Sequence, residues 1–304
     1  MNNNYMMENY KNIGKNFKRN GQIIKALQFF NKAYNLPEGR KNIELILDLA
    51  LLYDELDNAI MAEEKYREVI NIAEEERAYY GLAILYEDKG QYHEAINYYK
   101  KAISINPYYH KAYFFLANLY DEMGDKESAI KYYKKAEEIQ PIDFWTHINL
   151  GCIYEELNKD YHALEEMKKA LEIDPNHYMA LFNMGVISKK LGNSNKAIEY
   201  YEKSICENKK YGYSFLNLAV LYKELGSYDK AIHIISDGIL NNPEEPYLYY
   251  NRACFYVHEK LIDEGINDIK IAIKLYPDFI DYMKKDEELV LIKKIAPELF
   301  SEHR

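Results

Sequence analysis

An all-α array of stacked helical hairpins is the fold this sequence predicts, and three observations predict it. Small residues recur every 34 positions, at Ala83, Ala117, Gly151, Gly185, Ala219 and Ala253. Two more columns keep that step: Ala95, Ala129, Ala163, Ala197, Ala231 and Gly265, always 12 residues after the first, and Ala102, Ala136, Ala170, Ser204, Gly238 and Ala272. Aromatic residues flank them, with Tyr86, Tyr120, Tyr154, Tyr222 and Tyr256 after the first column and Tyr99, Tyr133 and Tyr201 after the second. Their i+3 and i+4 offsets put each small–aromatic pair on one helix face. Small residues let two antiparallel helices approach closely while the rings fill the space beside them. No hairpin buries such a face alone, so the hairpins stack.

The elements follow in order. Residues 1–6 are polar and predicted to fray. The repeats fall at about 7–40, 43–76, 76–109, 110–143, 144–177, 178–211, 212–245 and 246–279. Gly14, Ala26, Phe30 and Ala33 keep the first in phase, and Pro37-Glu38-Gly39 ends it. Ala50, Tyr53, Ala62, Tyr66 and Val69 define the second, which turns at Asp57-Asn58. Prolines close most of the others, at Pro107, Pro141, Pro175, Pro243 and Pro277. Between paired helices, Gly90, Gly124, Gly192 and Gly226 permit a positive φ. Asn158 tolerates it in the fifth repeat, and Lys260 is expected to distort the turn of the eighth. The sixth repeat departs most, with Ser188 in the tyrosine column, Ser204 for Ala and Lys209 for Pro. After residue 280 the period stops. Leu289, Ile292, Ile295 and Ala296 form one apolar stripe, read as a capping helix that ends at Pro297.

Composition narrows the function. Tyr occurs 32 times against one Trp, and its apolar body with a polar tip suits a thin array whose core is never far from water. Mean hydropathy is −0.50 and no apolar run of about 18 residues occurs, so no membrane span is expected. The N-terminal residues lack a basic stretch followed by an apolar one, which predicts a cytoplasmic protein. The net charge of −10 disfavours nucleic acid, although residues 1–40 hold seven Lys and Arg against two Glu. Cys152, Cys206 and Cys254 have no metal-ligand spacing and read as free thiols. No Gly-rich phosphate loop and no His cluster appears, so no cofactor, metal or catalytic residue is predicted. The reading is of a non-enzyme.

Tyr113, Leu116-Ala117, Tyr120, Ala129, Tyr133, Ala136 and Pro141 together resemble the tetratricopeptide repeat (TPR) pattern. The resemblance implies a right-handed α-α superhelix, a TPR solenoid of about eight helical hairpins over residues 1–279. A C-terminal capping helix and tail would follow over 280–304. It also implies that the first helix of each repeat lines a concave groove through fixed positions. The sixth of these positions reads Asn149, Asn183, Asn217 and Asn251. An amide carries a donor and an acceptor, which matches an extended peptide backbone. The column resembles the asparagine ladder in the repeat domain of O-GlcNAc transferase, without its catalytic domain. The same amides also suit bridging of neighbouring helices, and both readings stand on the sequence.

Large residues lie at the other groove positions: Trp145, Met179, Tyr213 and Tyr247 at the second, Phe114, Ile148, Phe182, Leu216 and Tyr250 at the fifth, and Asn118, Cys152 and Cys254 among those at the ninth. The candidate peptide-binding set is Asn149, Asn183, Asn217, Asn251, Trp145, Phe182, Tyr213, Tyr247, Tyr250 and Asn118. Along the rim, Asp54-Glu55, Glu87-Asp88, Asp121-Glu122 and Glu155-Glu156 make an acidic ridge that turns basic at Lys189-Lys190. That ridge would favour a basic partner segment. The basic residues needed for a carboxylate clamp are not all present, but Lys11, Lys15, Lys18 and Arg19 are expected to offer a basic end patch. The sequence therefore reads as an adaptor or scaffold that holds a protein or peptide segment. The alternative is a self-associating structural protein with a second copy as partner.

Overall fold

The structure is a computed structural model that describes residues 3–301, and within them it is all-helical. Glu302, His303 and Arg304 of the expected tail lie outside the described residues. The chain forms two compact units, one ending at Ile142 and the other beginning at Asp143.

The first unit holds α1 (Asn3–Arg19), α2 (Ile23–Tyr34), α3 (Ile43–Glu55), α4 (Ala59–Ile72), α5 (Glu76–Asp88), α6 (Tyr92–Ile105), α7 (His110–Glu122) and α8 (Lys126–Ile139). The second holds α9 (Phe144–Glu156), α10 (Asp160–Ile173), α11 (Tyr178–Lys190), α12 (Ser194–Glu207), α13 (Gly212–Glu224), α14 (Tyr228–Asn241), α15 (Pro246–His258), α16 (Ile262–Leu275), α17 (Ile280–Lys285) and α18 (Val290–Ile295). In each unit consecutive helices pair as hairpins, and each hairpin packs on the next. The short turns make paired helices antiparallel.

The small columns do what the period requires. Ala83, Ala117, Ala219 and Ala253 are fully buried, as are Ala95, Ala129, Ala163, Ala197 and Ala231. Tyr99, Tyr133 and Tyr201 are among the largest side chains taken wholly out of water. Burying such a ring is worth roughly 1.5–3 kcal/mol, and Met167, Ile235 and Ile269 fill the same column in the other repeats of the array. Ser204 pays for its hydroxyl in this column with hydrogen bonds: its Oγ donates to Tyr178 O at 2.8 Å and lies 2.8 Å from Ser214 Oγ. None of the three cysteines forms a disulfide.

Three local expectations are corrected. Helix α1 begins at Asn3 rather than fraying to residue 6, because Met7 is buried in the core of the first repeats and accepts from Asn42 at 3.8 Å. Lys260 does not distort its turn. Its φ is +63°, Lys260 N donates to Val257 O at 3.1 Å and Leu261 N to Tyr256 O at 2.9 Å, the pattern Gly226 and Ser227 make one repeat earlier. The C-terminal cap is not one helix. It is α17 and α18 with short 3-10 turns at Pro277–Phe279, Glu287–Leu289 and Pro297–Phe300. Met283, Leu289, Ile292, Ala296 and Phe300 reach the core, while Ile295 is exposed.

The strain at Lys260 gives a direct test. A left-handed conformation costs an L-residue roughly 1–2 kcal/mol, while glycine adopts it without a Cβ penalty but loses more chain entropy. Lys260→Gly is expected to raise stability by about 0.5–1 kcal/mol in equilibrium denaturation. An unchanged or lowered midpoint would show that this turn carries no such cost.

Candidate peptide-binding face of the second unit

The first helices of the second unit, α9, α11, α13 and α15, carry most of the predicted site. Their N-terminal turns bring a run of rings together. Trp145 meets His177 edge-on with centroids 5.5 Å apart, and His177 stacks on Tyr178 at 5.2 Å. Tyr178 meets Tyr211 at 5.0 Å, and Phe182 meets Tyr211 edge-on at 5.2 Å. Tyr211 contacts Tyr213 at 5.6 Å, and Tyr213 stacks on Tyr247 at 5.1 Å with planes 8° apart. Trp145 is 46% exposed and Tyr213 50% exposed, so the run has faces open to solvent. Gly212 leaves the room for it: a Cβ there would lie 2.5 Å from the Tyr247 hydroxyl.

His177 and Tyr211 were not among the residues singled out from the sequence. They sit at the N-cap positions of α11 and α13 and make no side-chain cap hydrogen bond. Asp143 shows what the same position does elsewhere: it caps α9, accepting from Thr146 N at 2.8 Å and Thr146 Oγ1 at 2.6 Å. Replacing a cap by a ring forgoes about 1 kcal/mol of helix stability. In addition, His177 Nδ1 is buried without a hydrogen-bond partner. The signal was in the sequence, since Tyr109, His177 and Tyr211 belong to one 34-residue column.

The asparagines divide. Asn217 donates through Nδ2 to Tyr213 O at 3.0 Å, and Asn251 to Tyr247 O at 2.8 Å, each to the carbonyl one turn back on its own helix. Asn183 donates to Cys152 Sγ at 3.5 Å, bridging α11 to α9 beside a cavity of about 20 Å³. Asn149 stands half-buried on α9. Asn183, Asn217 and Asn251 each keep an oxygen and a second N–H beyond these bonds, so their donors are partly committed to the protein and their acceptors are not. Asn118 lies in the other unit, where its carboxamide oxygen accepts the Tyr133 hydroxyl.

Tyr250 is a correction. It is only 8% exposed, its hydroxyl donates to the Asp286 carboxylate, and it packs on Phe279 and Tyr282. The C-terminal segment covers it, so it is core and not groove wall. The same acidic turn takes the neighbouring rim, with Glu288 paired to Lys223 and 3.8 Å from His258. Burial first, then the Asp286 carboxylate, push the Cys254 thiol well above its ordinary pKa, so it stays protonated beside His258. That is the opposite of what a nucleophilic cysteine needs.

The rim charges are largely spent. Lys190 pairs with Glu155, and Lys189 with Glu224 at 2.7 Å. In the first unit the ridge behaves differently. Burial first, then Asp88 and Asp57, raise the pKa of Asp54; burial also raises that of Glu87, where Glu122 and Asp88 add to it and the Tyr99 hydroxyl works against it. Mutual repulsion therefore persists there. The expected basic end patch is met from α1 by its own neighbours: Lys11 pairs with Glu8 at 2.7 Å, Lys15 with Asp48 at 3.7 Å and Lys18 with Glu55 at 3.9 Å. No helix among the described residues is long and apolar enough to cross a membrane.

Tetratricopeptide repeat profiles match residues 75–142, 146–177 and 166–199. A profile of anaphase-promoting complex subunit 5 matches residues 29–86 and 200–244. No curated protein gives a significant match. Among solved structures, a tetratricopeptide repeat protein from Parabacteroides merdae is 19% identical, with a TM-score of 0.61 over 85% of this chain and 98% of that one. The Cut9–Hcn1 hetero-tetramer of the APC/C is 17% identical, with a TM-score of 0.59 over 90% of this chain; the chain spans 52% of the length of that relative. PilF of Pseudomonas aeruginosa is 19% identical, with a TM-score of 0.58 over 73% of this chain and 97% of that one. At these identities the likeness is one of fold. Tetratricopeptide repeat proteins generally act as protein-interaction scaffolds. The 34-residue register, the stacked hairpins and these matches together support the tetratricopeptide repeat family for this chain.

Proposed function

We propose that this protein is an adaptor that holds an extended peptide segment against the α9, α11, α13 and α15 faces of its second unit, without chemistry. The observation that carries the reading is the aromatic run at the helix N-termini, whose open members are Trp145 and Tyr213. Large apolar surface left in water at a point where caps have been given up has a cost that folding does not repay. In this reading the exposed rings take side chains of the segment. The amide oxygens of Asn149, Asn183, Asn217 and Asn251 accept from its backbone N–H groups. Phe182 and Tyr247 support the rings from below. In the first unit, the repelling carboxylates at Asp54, Glu87, Asp88 and Glu122 favour a basic stretch.

The test is affinity capture from native cell extract, followed by titration of the captured segment. Trp145→Ala with Tyr213→Ala is expected to weaken it by at least about 30-fold, as hot-spot rings cost about 2 kcal/mol or more. Alanine at Asn149, Asn183, Asn217 and Asn251 is expected to weaken it by about tenfold, with helical content unchanged. Equal capture by the wild-type chain and both variants places recognition elsewhere.

A further inference from the structure

The sixth repeat breaks the tyrosine column at Ser188, and the structure places a cavity of about 200 Å³ there. In the third and fourth repeats the column's ring meets a tyrosine on the second helix of its own repeat. Tyr86 meets Tyr98 at 5.2 Å, and Tyr120 stacks on Tyr132 at 5.4 Å with planes 5° apart. The sixth repeat keeps the partner, Tyr200, in register with Tyr98 and Tyr132, but Ser188 supplies no ring to face it. Leu164 and Met184 contribute apolar wall, and Lys168 and Lys196 line the same cavity. Neither lysine forms an ion pair within 4.0 Å among the described residues.

We infer that this cavity is a docking site for one aromatic side chain, tyrosine or phenylalanine, carried on an acidic peptide segment. The repeats themselves supply the template for the occupant: a ring parallel to Tyr200, as Tyr120 lies on Tyr132. The volume is below the roughly 300–1,000 Å³ of drug-sized ligand sites and suits a single side chain. Lys168 and Lys196 select acidic flanks by charge. The site is distinct from the face around Asn183, since Asn183 and Ser188 lie five residues apart on α11 and point to different sides of the helix.

The experiment uses the full chain and the synthetic peptide acetyl-Asp-Glu-Tyr-Glu-Asp-amide, with binding followed by NMR of a fluorinated tyrosine ring. Saturable binding is expected for the wild-type chain and for Ser188→Ala, which keeps the slot open. Ser188→Tyr is expected to weaken it at least about tenfold and to raise the thermal midpoint, because its own ring then stacks on Tyr200. Lys168→Glu with Lys196→Glu is expected to weaken it by a similar factor, and Trp145→Ala to leave it unchanged. The proposal is overturned if the wild-type chain does not bind at millimolar peptide, if the unlabelled peptide with Ala for Tyr displaces the fluorinated one as well as the parent peptide does, or if Ser188→Tyr folds and binds as the wild type does. Loss of binding on Trp145→Ala would also overturn it, because the peptide would then sit on the other face.

Discussion

Glu166→Ala is expected to destabilise the second unit by about 3–5 kcal/mol, the loss typical of breaking a buried polar pair from one side. Glu166 on α10 is 3% exposed and His147 on α9 is 1% exposed. Glu166 Oε2 lies 2.8 Å from His147 Nδ1, and Oε1 accepts from Lys169 Nζ at 3.2 Å. Truncation to Ala leaves the imidazole nitrogen without this partner in a place water cannot reach, and it opens a cavity as well. The repeats show what the position holds without charge. Tyr79 faces Tyr98 at 6.4 Å and Tyr113 faces Tyr132 at 6.4 Å, in the columns of His147 and Glu166. His147→Tyr with Glu166→Tyr is therefore expected to recover most of the loss, since a well-packed apolar pair often matches a buried polar one. Urea denaturation of both variants measures this. Because repeat arrays melt by nearest-neighbour coupling, the loss is expected as an earlier transition of this hairpin and those beside it. A cost below about 1 kcal/mol for Glu166→Ala would mean that the pair contributes no more than an ordinary hydrogen bond.

The same column logic sets what was readable in the sequence. Positions fixed by the period, such as Ala117 with Tyr133 or Ala197 with Tyr201, could be assigned because each copy confirms the others. Trp145 and Tyr213 were legible as surface rings because they occupy a helical position whose direction the 3.6-residue turn defines. His177 and Tyr211 were missed because an N-cap residue stands outside that geometry, and its usual occupant is a small polar side chain. The burial of Tyr250 was missed for a different reason. Its cover comes from Asp286, Phe279 and Tyr282, in a segment without the repeat, so no register connects them. The pairing of Lys15 with Asp48 and of Lys18 with Glu55 is another contact between helices that charge counting on α1 alone does not reveal.

Gly39→Ala is expected to cost about 3 kcal/mol, at the top of the usual range for overpacking, because the obstruction is backbone. A Cβ at Gly39 would lie 2.1 Å from Ala33 O and 2.8 Å from Ala33 C and Tyr34 Cα. No side-chain rotation relieves those contacts; the connection between α2 and α3 must move. That connection is tied at both ends. Gly39 N donates to Leu36 O at 2.9 Å, and Asn42 N to Gly39 O at 3.1 Å. Asn42 in turn caps α3, accepting from Leu45 N at 2.9 Å, and donates to the buried Met7. Moving Gly39 therefore disturbs the cap of α3 and the anchor of α1 together, and loss of the cap alone costs about 1 kcal/mol. Gly90→Ala is the contrasting substitution. Its φ is +69° and nothing lies within 4 Å of the added Cβ, so its cost is only that of a left-handed alanine, about 1–2 kcal/mol. The comparison separates space from dihedral preference: Gly39→Ser is expected to fall with Gly39→Ala, while Gly90→Asn is expected to recover most of the Gly90→Ala loss. Equilibrium denaturation with far-ultraviolet circular dichroism distinguishes them. If Gly39→Ala is as stable as the wild-type chain, the first hairpin is not held against the second through this connection.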